Sequence, residues 1–347
     1  VFKRLNRVVV TLFYQQANFK KWKGFRVLAV DGSTLALPGN HTSLKKIFTY
    51  YKFGPKADAG HWMSRISYLY DVFNGLVIDA QMKSYRTSES TLCKLHMPFV
   101  KKGDLLLFDR YYASLERMFL LQAKGVHFLF RMKDNWWKCV EKFVQSELDE
   151  QIVDILLPSI HQHLLKKYPH LTKVIKIRLI KKKNRKGEVQ VFATSLLDEK
   201  TYSKKAILNL YKQRWSIEEA YKMIKCRLEV ADFSGLTAWA IQQDFFAKTL
   251  LITLCNALCF GIQPKLPKRQ PVKRGMEKRV PIINRTYAMK QVINMLTKVT
   301  FSLDSFSEWF RRFSIKISKQ VEYSPRNQSN KRKFKSNSKY SMAYKNL

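Results

Sequence analysis

Acidic residues are scarce in this chain. Only 26 Asp and Glu stand against 64 Lys and Arg over 347 residues, a formal net charge of +38. Such an excess attracts polyanions, nucleic acid first among them, although a merely basic structural protein would share it. Cysteine is also sparse. The five (Cys93, Cys139, Cys226, Cys255, Cys259) are odd in number and include no CxxC pair, which excludes a disulfide framework and points to reduced thiols in the cytoplasm. Cys255 and Cys259, four apart, share one helix face and read as packing rather than half of a zinc site. Long apolar runs are missing too: the longest, Thr249 to Ile262, falls short of the about 20 residues that span a bilayer, so it reads as a buried helix. No membrane contact and no leader peptide is expected, and the opening Val1 suggests that an N-terminal piece is missing.

What is present suits a folded α/β protein. Hydrophobic residues make up 46% and aromatics 13%, enough for a sizeable core and too much for a disordered chain. Residues 1–24 read as a short basic segment. Over 25–133 the order is β-β-β-α-β-α-β, with strands near 26–31, 64–73 and 76–85 and Asn74-Gly75 marking a hairpin. A helix near 89–101, a strand from Asp104, a helix over 115–124 and a strand over 126–132 complete a mixed sheet with helices on its faces. The pattern changes over 134–200, which reads as a β-rich insertion containing strands such as Val174 to Ile180 and Val189 to Thr194. Helical periodicity returns over 201–262. A basic linker with two short helices occupies 263–320, and 321–347 reads as a disordered basic tail.

Two apolar strands run onto aspartates. Arg26 to Val30 leads into Asp31-Gly32, and Asp104 to Phe108 leads into Asp109-Arg110-Tyr111-Tyr112. A carboxylate at the tip of a buried strand is costly unless something binds it, and ligands gather beyond the carboxyl ends of strands in such sheets. Downstream, Tyr211, Arg214, Glu218 and Lys225 fall on one stripe of a straight helix. With Tyr211 as origin they lie at about −60°, −20° and −40°. Leu210, Ile217, Ala220 and Ile224 supply the opposite, core-facing side. A solvated face of i,i+4 ion pairs is the commoner origin of such a stripe. Taken with Asp31 and Asp109, Glu218 instead completes a set of three carboxylates suited to hard cations such as a pair of Mg²⁺ ions. Arg214 and Lys225 would then neutralise phosphates, and Tyr211 would contact DNA.

At these residues the chain resembles the DDE transposases of bacterial insertion sequences, in the insertion-sequence-four family. That family's signature of Tyr, Arg, Glu and Lys at fixed spacings is met by Tyr211, Arg214, Glu218 and Lys225. Asp31-Gly32-Ser33-Thr34 fits its first aspartate motif. Asp109-Arg110-Tyr111-Tyr112 fits the second, with Tyr111 where glycine is usual. The offset of 109 from Asp109 to Glu218 (218 − 109) leaves room for the family's β-rich insertion.

The resemblance covers roughly 24–300 and implies a ribonuclease-H-like mixed sheet flanked by helices and interrupted by that insertion. It further implies Mg²⁺ as cofactor, with Mn²⁺ as a substitute. Asp31, Asp109 and Glu218 would be catalytic and metal-binding, and Tyr211, Arg214, Lys225, Arg110 and Tyr112 DNA-binding. The activity implied is cut-and-paste transposition of double-stranded DNA by a homodimer on the bacterial nucleoid. With only 30 residues before Asp31, the family's N-terminal end-binding region is expected to be short or absent.

Other residues read more plainly. Glu219 lies off the stripe, so Glu218 is the preferred ligand. His161 and His163 read as surface residues, and Asp71 and Asp79 as strand-end polar residues. His61-Trp62 and Trp136-Trp137 suit core or rim packing as well as DNA contact, and Arg131 faces phosphate or solvent. Two alternatives to the transposase stand: a transposon remnant that binds DNA through charge alone, and a structure-selective nuclease on the same fold.

Overall fold

A computed structural model describes residues 1–39, 41–52, 60–135, 137–183, 187–227, 233–263, 266, 270–271, 278–299 and 305–323. Most of the expected linker, the tail from 324 and Trp136 lie outside the described residues.

The chain opens on helix α1 (Phe2–Gln16), whose Asn6, Val10 and Phe13 turn inward. Strand β1 (Arg26–Leu37), the four-residue helix α2 (Leu44–Ile47), β2 (Thr49–Tyr51) and the hairpin β3 (His61–Asp71) and β4 (Leu76–Ser84) follow. Then come α3 (Glu89–His96), β5 (Asp104–Phe108), α4 (Leu115–Ala123) and β6 (His127–Arg131). Next are α5 (Lys138–Gln145), β7 (Glu150–Leu156), α6 (His163–Lys167), β8 (Val174–Lys183) and β9 (Val189–Thr194). Helices α7 (Lys204–Lys212), α8 (Trp215–Lys222), α9 (Ala238–Phe260), α10 (Arg285–Val299) and α11 (Phe306–Lys319) complete the main elements. Several helices begin where a Ser or Thr hydroxyl accepts an otherwise unpaired N–H of the first turn: Ser88 from Thr91, Ser114 from Arg117, Ser203 from Ala206 and Thr237 from Ala240.

These strands form one nine-stranded mixed sheet, ordered β2-β3-β1-β5-β6-β9-β8-β7, with β4 also pairing with β3. β1 lies antiparallel to β3 and parallel to β5, and β5 is parallel to β6. This is the mixed α/β architecture the sequence pointed to. The strands of the 134–200 segment join it through β6–β9, so the sheet continues into that segment without a break.

Side chains alternate across the sheet, which divides the core in two. Val27, Ala29, Leu105 and Leu107 pack on one side with Ile207, Ile217, Ile224 and Phe245 of α7 to α9 and its flanks. Leu28, Val30, Leu106 and Phe108 pack on the other with Val10, Cys93, Met118 and Phe119. The run from Thr249 lies on α9, a mostly buried helix, and no helix among the described residues is long and apolar enough to cross a membrane.

Two boundaries differ from expectation. β1 continues six residues past Asp31, because the long antiparallel β3 keeps supplying partners up to Leu37↔Trp62 after β5 has ended. Asp31 therefore sits within a strand on one edge and beyond the ladder on the other. Asp71 is the strand-end polar residue expected, at the end of β3, whereas Asp79 lies inside β4, and both are buried. Asp71 accepts hydrogen bonds from Tyr14 Oη at 2.5 Å and from the Phe73 and Asn74 N–H groups, which closes the hairpin. Asp79 pairs with His96 Nδ1 at 2.8 Å.

Candidate active site

The parallel register Arg26↔Asp104 to Ala29↔Leu107, continued by two residues, aligns Asp31 with Asp109. Side-chain alternation decides where they point. Asp31 follows Val27 and Ala29, and Asp109 follows Leu105 and Leu107, so both belong to the face covered by α7 and α8. Those helices bring the remaining polar residues. Leu210, Ile217, Ala220 and Ile224 are buried as their core side requires.

The segment is not one straight helix. Gln213, Arg214, Ser216 and Ile217 donate to carbonyls three residues back, which tightens the winding, and Met223–Arg227 forms a π-helical turn that widens it. The two deviations rotate in opposite senses, so the stripe still faces β1 and β5. Tyr211 Oη donates to the carbonyl of Phe108 at 3.3 Å, and its ring meets Phe192. Lys225 Nζ donates to Ser33 Oγ at 2.6 Å. Arg214 is buried, with Nη2 2.7 Å from Glu218 Oε1 and Nη1 3.7 Å from Asp31 Oδ2. Glu219 turns to solvent and pairs with Lys222.

Arg214 is the electrostatic centre of this group. Burial opposes its charge, yet Tyr211, Glu218, Asp31 and Asp109 together hold its pKa above the ordinary value. Asp31 shows the converse. Burial pushes its carboxyl up to about 6; Arg214 and the Gly32 N–H restrain the rise, while Glu89 and Glu218 add to it. Burial likewise raises the Tyr211 phenol.

Among the described residues no three His, Cys, Asp or Glu side chains converge closely enough to hold an ion, and the Arg214 guanidinium supplies the positive charge between Asp31 and Glu218. The donor chemistry nevertheless fits Mg²⁺: Asp31, Asp109 and Glu218 offer only hard oxygens, and Asp31 is a desolvated carboxylate whose charge Arg214 only partly offsets.

The remaining expected DNA contacts divide. Arg110 is exposed beside Asp109. Tyr112, expected on the DNA-facing surface, is buried to 1% exposure and donates from Oη to Glu89 Oε2 at 3.0 Å; the following chain folds it inward against Phe108. His161 and His163 lie at a short helical turn and the start of α6, their rings 6.4 Å apart.

Three groups escaped the sequence reading. Tyr221 Oη donates to the Asp31 carbonyl at 2.7 Å and stacks on Tyr68. Helix geometry held a signal for it, since ten residues past Tyr211 it falls within about 20° of Arg214. Ser67 Oγ reaches the same carbonyl at 3.1 Å and is joined to the buried His96 at 2.9 Å. Glu89 lies in the first turn of α3, where an acid is common and carries no signal of its own.

The chain is similar to known transposases. A family profile described as the transposase DDE domain matches residues 22–254. The transposase for insertion sequence element IS231E of Bacillus thuringiensis subsp. finitimus is 20% identical over 278 residues, covering 67% of this chain and 58% of that protein. The IS231D transposase of the same organism is 20% identical over 287 residues, covering 69% and 60%. The chain thus spans less than two thirds of the length of these curated relatives. A solved piggyBac transposase synaptic complex with hairpin DNA aligns at a TM-score of 0.47 and 10% identity, covering 83% of this chain and 57% of that one. With the profile spanning β1 to α9 and both aspartates and the glutamate inside it, the chain belongs to the DDE transposase family of bacterial insertion sequences.

Proposed function

We propose that this protein is a Mg²⁺-dependent transposase that cleaves DNA at transposon ends and joins the freed ends to target DNA. The observation that supports the reading is the parallel register of β1 and β5, which extended by two residues sets Asp31 level with Asp109 just past the end of β5, together with the link from Asp31 through Arg214 to Glu218. In the first reaction a water oxygen bonds to the scissile phosphorus and the P–O3′ bond breaks, leaving a 3′-hydroxyl and a 5′-phosphate. In the second, that 3′-hydroxyl oxygen bonds to a target phosphorus and the target's own 3′-oxygen leaves.

Asp31, Asp109 and Glu218 would hold the ions, whose chemistry there would be to make the attacking water or hydroxyl more acidic and to offset charge on the leaving oxygen. Lys225, anchored on Ser33, and the exposed Arg110 place positive charge where the phosphate backbone approaches. Arg214 orients Glu218 and shields the repulsion between acids, and Tyr211 braces the end of β5. A homodimer holding two ends in the bacterial cytoplasm, on the nucleoid, is the assembly that suits this activity.

A second reading, DNA binding without catalysis, draws on the engagement of two of the three acids by Arg214. Cleavage of a duplex carrying the inverted repeats beside the gene separates the two readings. Wild type is expected to nick with Mg²⁺ and not with Ca²⁺ or EDTA, and Glu218→Gln to bind equally well and not nick. Equal nicking by that variant would remove Glu218 from the active site, and tight binding with no nicking at any Mg²⁺ level would favour the second reading. Joining of cut ends to target DNA distinguishes a transposase from a nuclease.

A further inference from the structure

The floor beneath the two aspartates is built by a fourth acid. Glu89 lies on the opposite face of β1 from Arg214, over Gly32: a Cβ placed on Gly32 would come within 2.9 Å of Glu89 Cγ and Cδ. A side chain on residue 32 would push the Glu89 carboxylate away from the strand. Its Oε2 accepts the Tyr112 hydroxyl proton at 3.0 Å, and its Oε1 stands 3.5 Å from Arg65 Nη1.

A second clamp runs parallel to the first. Arg117 donates from Nη1 to the Tyr112 carbonyl and from Nη2 to Ser90 Oγ at 2.8 Å, while its guanidinium lies over the Phe108 and Tyr112 rings. The first turn of α3 is thus joined on one side to the residue after Asp31. On the other side it is joined to the third residue after Asp109.

We infer that Glu89 is a positioning residue of the active site, fixing the ends of β1 and β5 relative to each other through Gly32 and Tyr112. The role rests on the function proposed above. It explains why glycine follows the first aspartate and why a buried tyrosine follows the second. Glu89 acts here through its shape and as a hydrogen-bond acceptor, with Arg65 balancing its charge. Misplacing either aspartate by a fraction of an ångström would loosen ion binding and slow the chemistry together.

The test compares the full chain with Glu89→Ala, Glu89→Gln, Tyr112→Phe and the double variant Glu89→Ala/Tyr112→Phe. Mn²⁺ affinity is read by electron paramagnetic resonance without DNA, and single-turnover cleavage is read at saturating DNA and metal. Glu89→Ala is expected to weaken both by about 10- to 100-fold. Glu89→Gln, which keeps the packing and an acceptor oxygen for Tyr112, should restore most of the loss. Tyr112→Phe should fall in between, and the double variant should be no worse than Glu89→Ala, because both changes cut one connection.

Wild-type Mn²⁺ affinity and cleavage in a folded Glu89→Ala protein would overturn the role. So would a Glu89→Gln loss as large as that of Glu89→Ala, which would mean that the charge itself is what counts. If Glu89→Ala does not fold, Tyr112→Phe decides alone: weakened Mn²⁺ binding supports the role and unchanged binding overturns it. Wild-type protein that neither binds Mn²⁺ nor cleaves would instead remove the metal-dependent reading on which the role stands.

Discussion

At the scale of single residues, burial at Asp31 costs the fold stability. Its folded-state pKa of about 6 lies above the ordinary 3.8, chiefly through burial, so the folded protein holds this proton more tightly than the unfolded chain. Stability then falls as pH rises from about 4 to about 6 and levels off above, because the folded state must ionise a poorly solvated group. Asp31→Asn removes that cost. With the side chain 21% exposed, solvent softens the effect, and the variant is expected to gain about 1–3 kcal/mol over wild type at pH 7.5 and little at pH 4. Urea denaturation at the two pH values checks this; equal stability at pH 7.5 would mean that Asp31 is not strained. Asp31 and Asp109 stood out in the sequence because apolar runs lead into them, and Glu218 because its spacing to Arg214 matched a helix. Glu89 was not, since nothing local distinguishes an acid aimed at a distant glycine from one that merely starts a helix.

At the scale of elements, pattern located most segments while long-range pairing set their ends. The Asn74-Gly75 signal marked the hairpin correctly, and Gly75 adopts φ +74°. Its position also has a tertiary cause: an added Cβ would lie 3.1 Å from Asn256 Nδ2, which donates to the Gly75 carbonyl at 2.5 Å and ties the turn to α9. Gly103 has a similar φ of +82° with open space around it. Gly103→Ala should therefore cost about 1 kcal/mol from backbone strain alone, and Gly75→Ala measurably more, because crowding adds to the same strain. Thermal denaturation of the two variants tests the difference; equal losses would show that α9 yields freely. The extension of β1 beyond Asp31 and the turns around Arg214 and Lys225 were not readable in this way. Polar residues break the strand pattern at Asp31 to Thr34, and only the partner β3 restores it. A helical wheel also assumes a regular winding that this helix departs from in both directions.

At the scale of the whole molecule, composition announced a change at 134–200 but not that its strands extend the central sheet, because pairing partners far apart in sequence leave no local trace. Charge, by contrast, is a global property and was readable at once. An excess of +38 on 347 residues predicts DNA affinity dominated by counterion release rather than base contacts. If the bound face engages 6–10 phosphates, affinity for a random duplex should fall by about 10³- to 10⁵-fold between 50 and 200 mM salt. Fluorescence anisotropy over that range measures the slope. Asp31→Asn and Glu218→Gln each remove one negative charge beside the site while leaving all 64 Lys and Arg in place, so their slopes should match that of wild type even where cleavage is lost. A shallow wild-type slope would show that most of the excess charge faces away from DNA. Steeper slopes in the two variants would show that the carboxylates themselves repel bound phosphates. In that case removing an acid would tighten the electrostatic grip on DNA, and the expected match with wild type would fail.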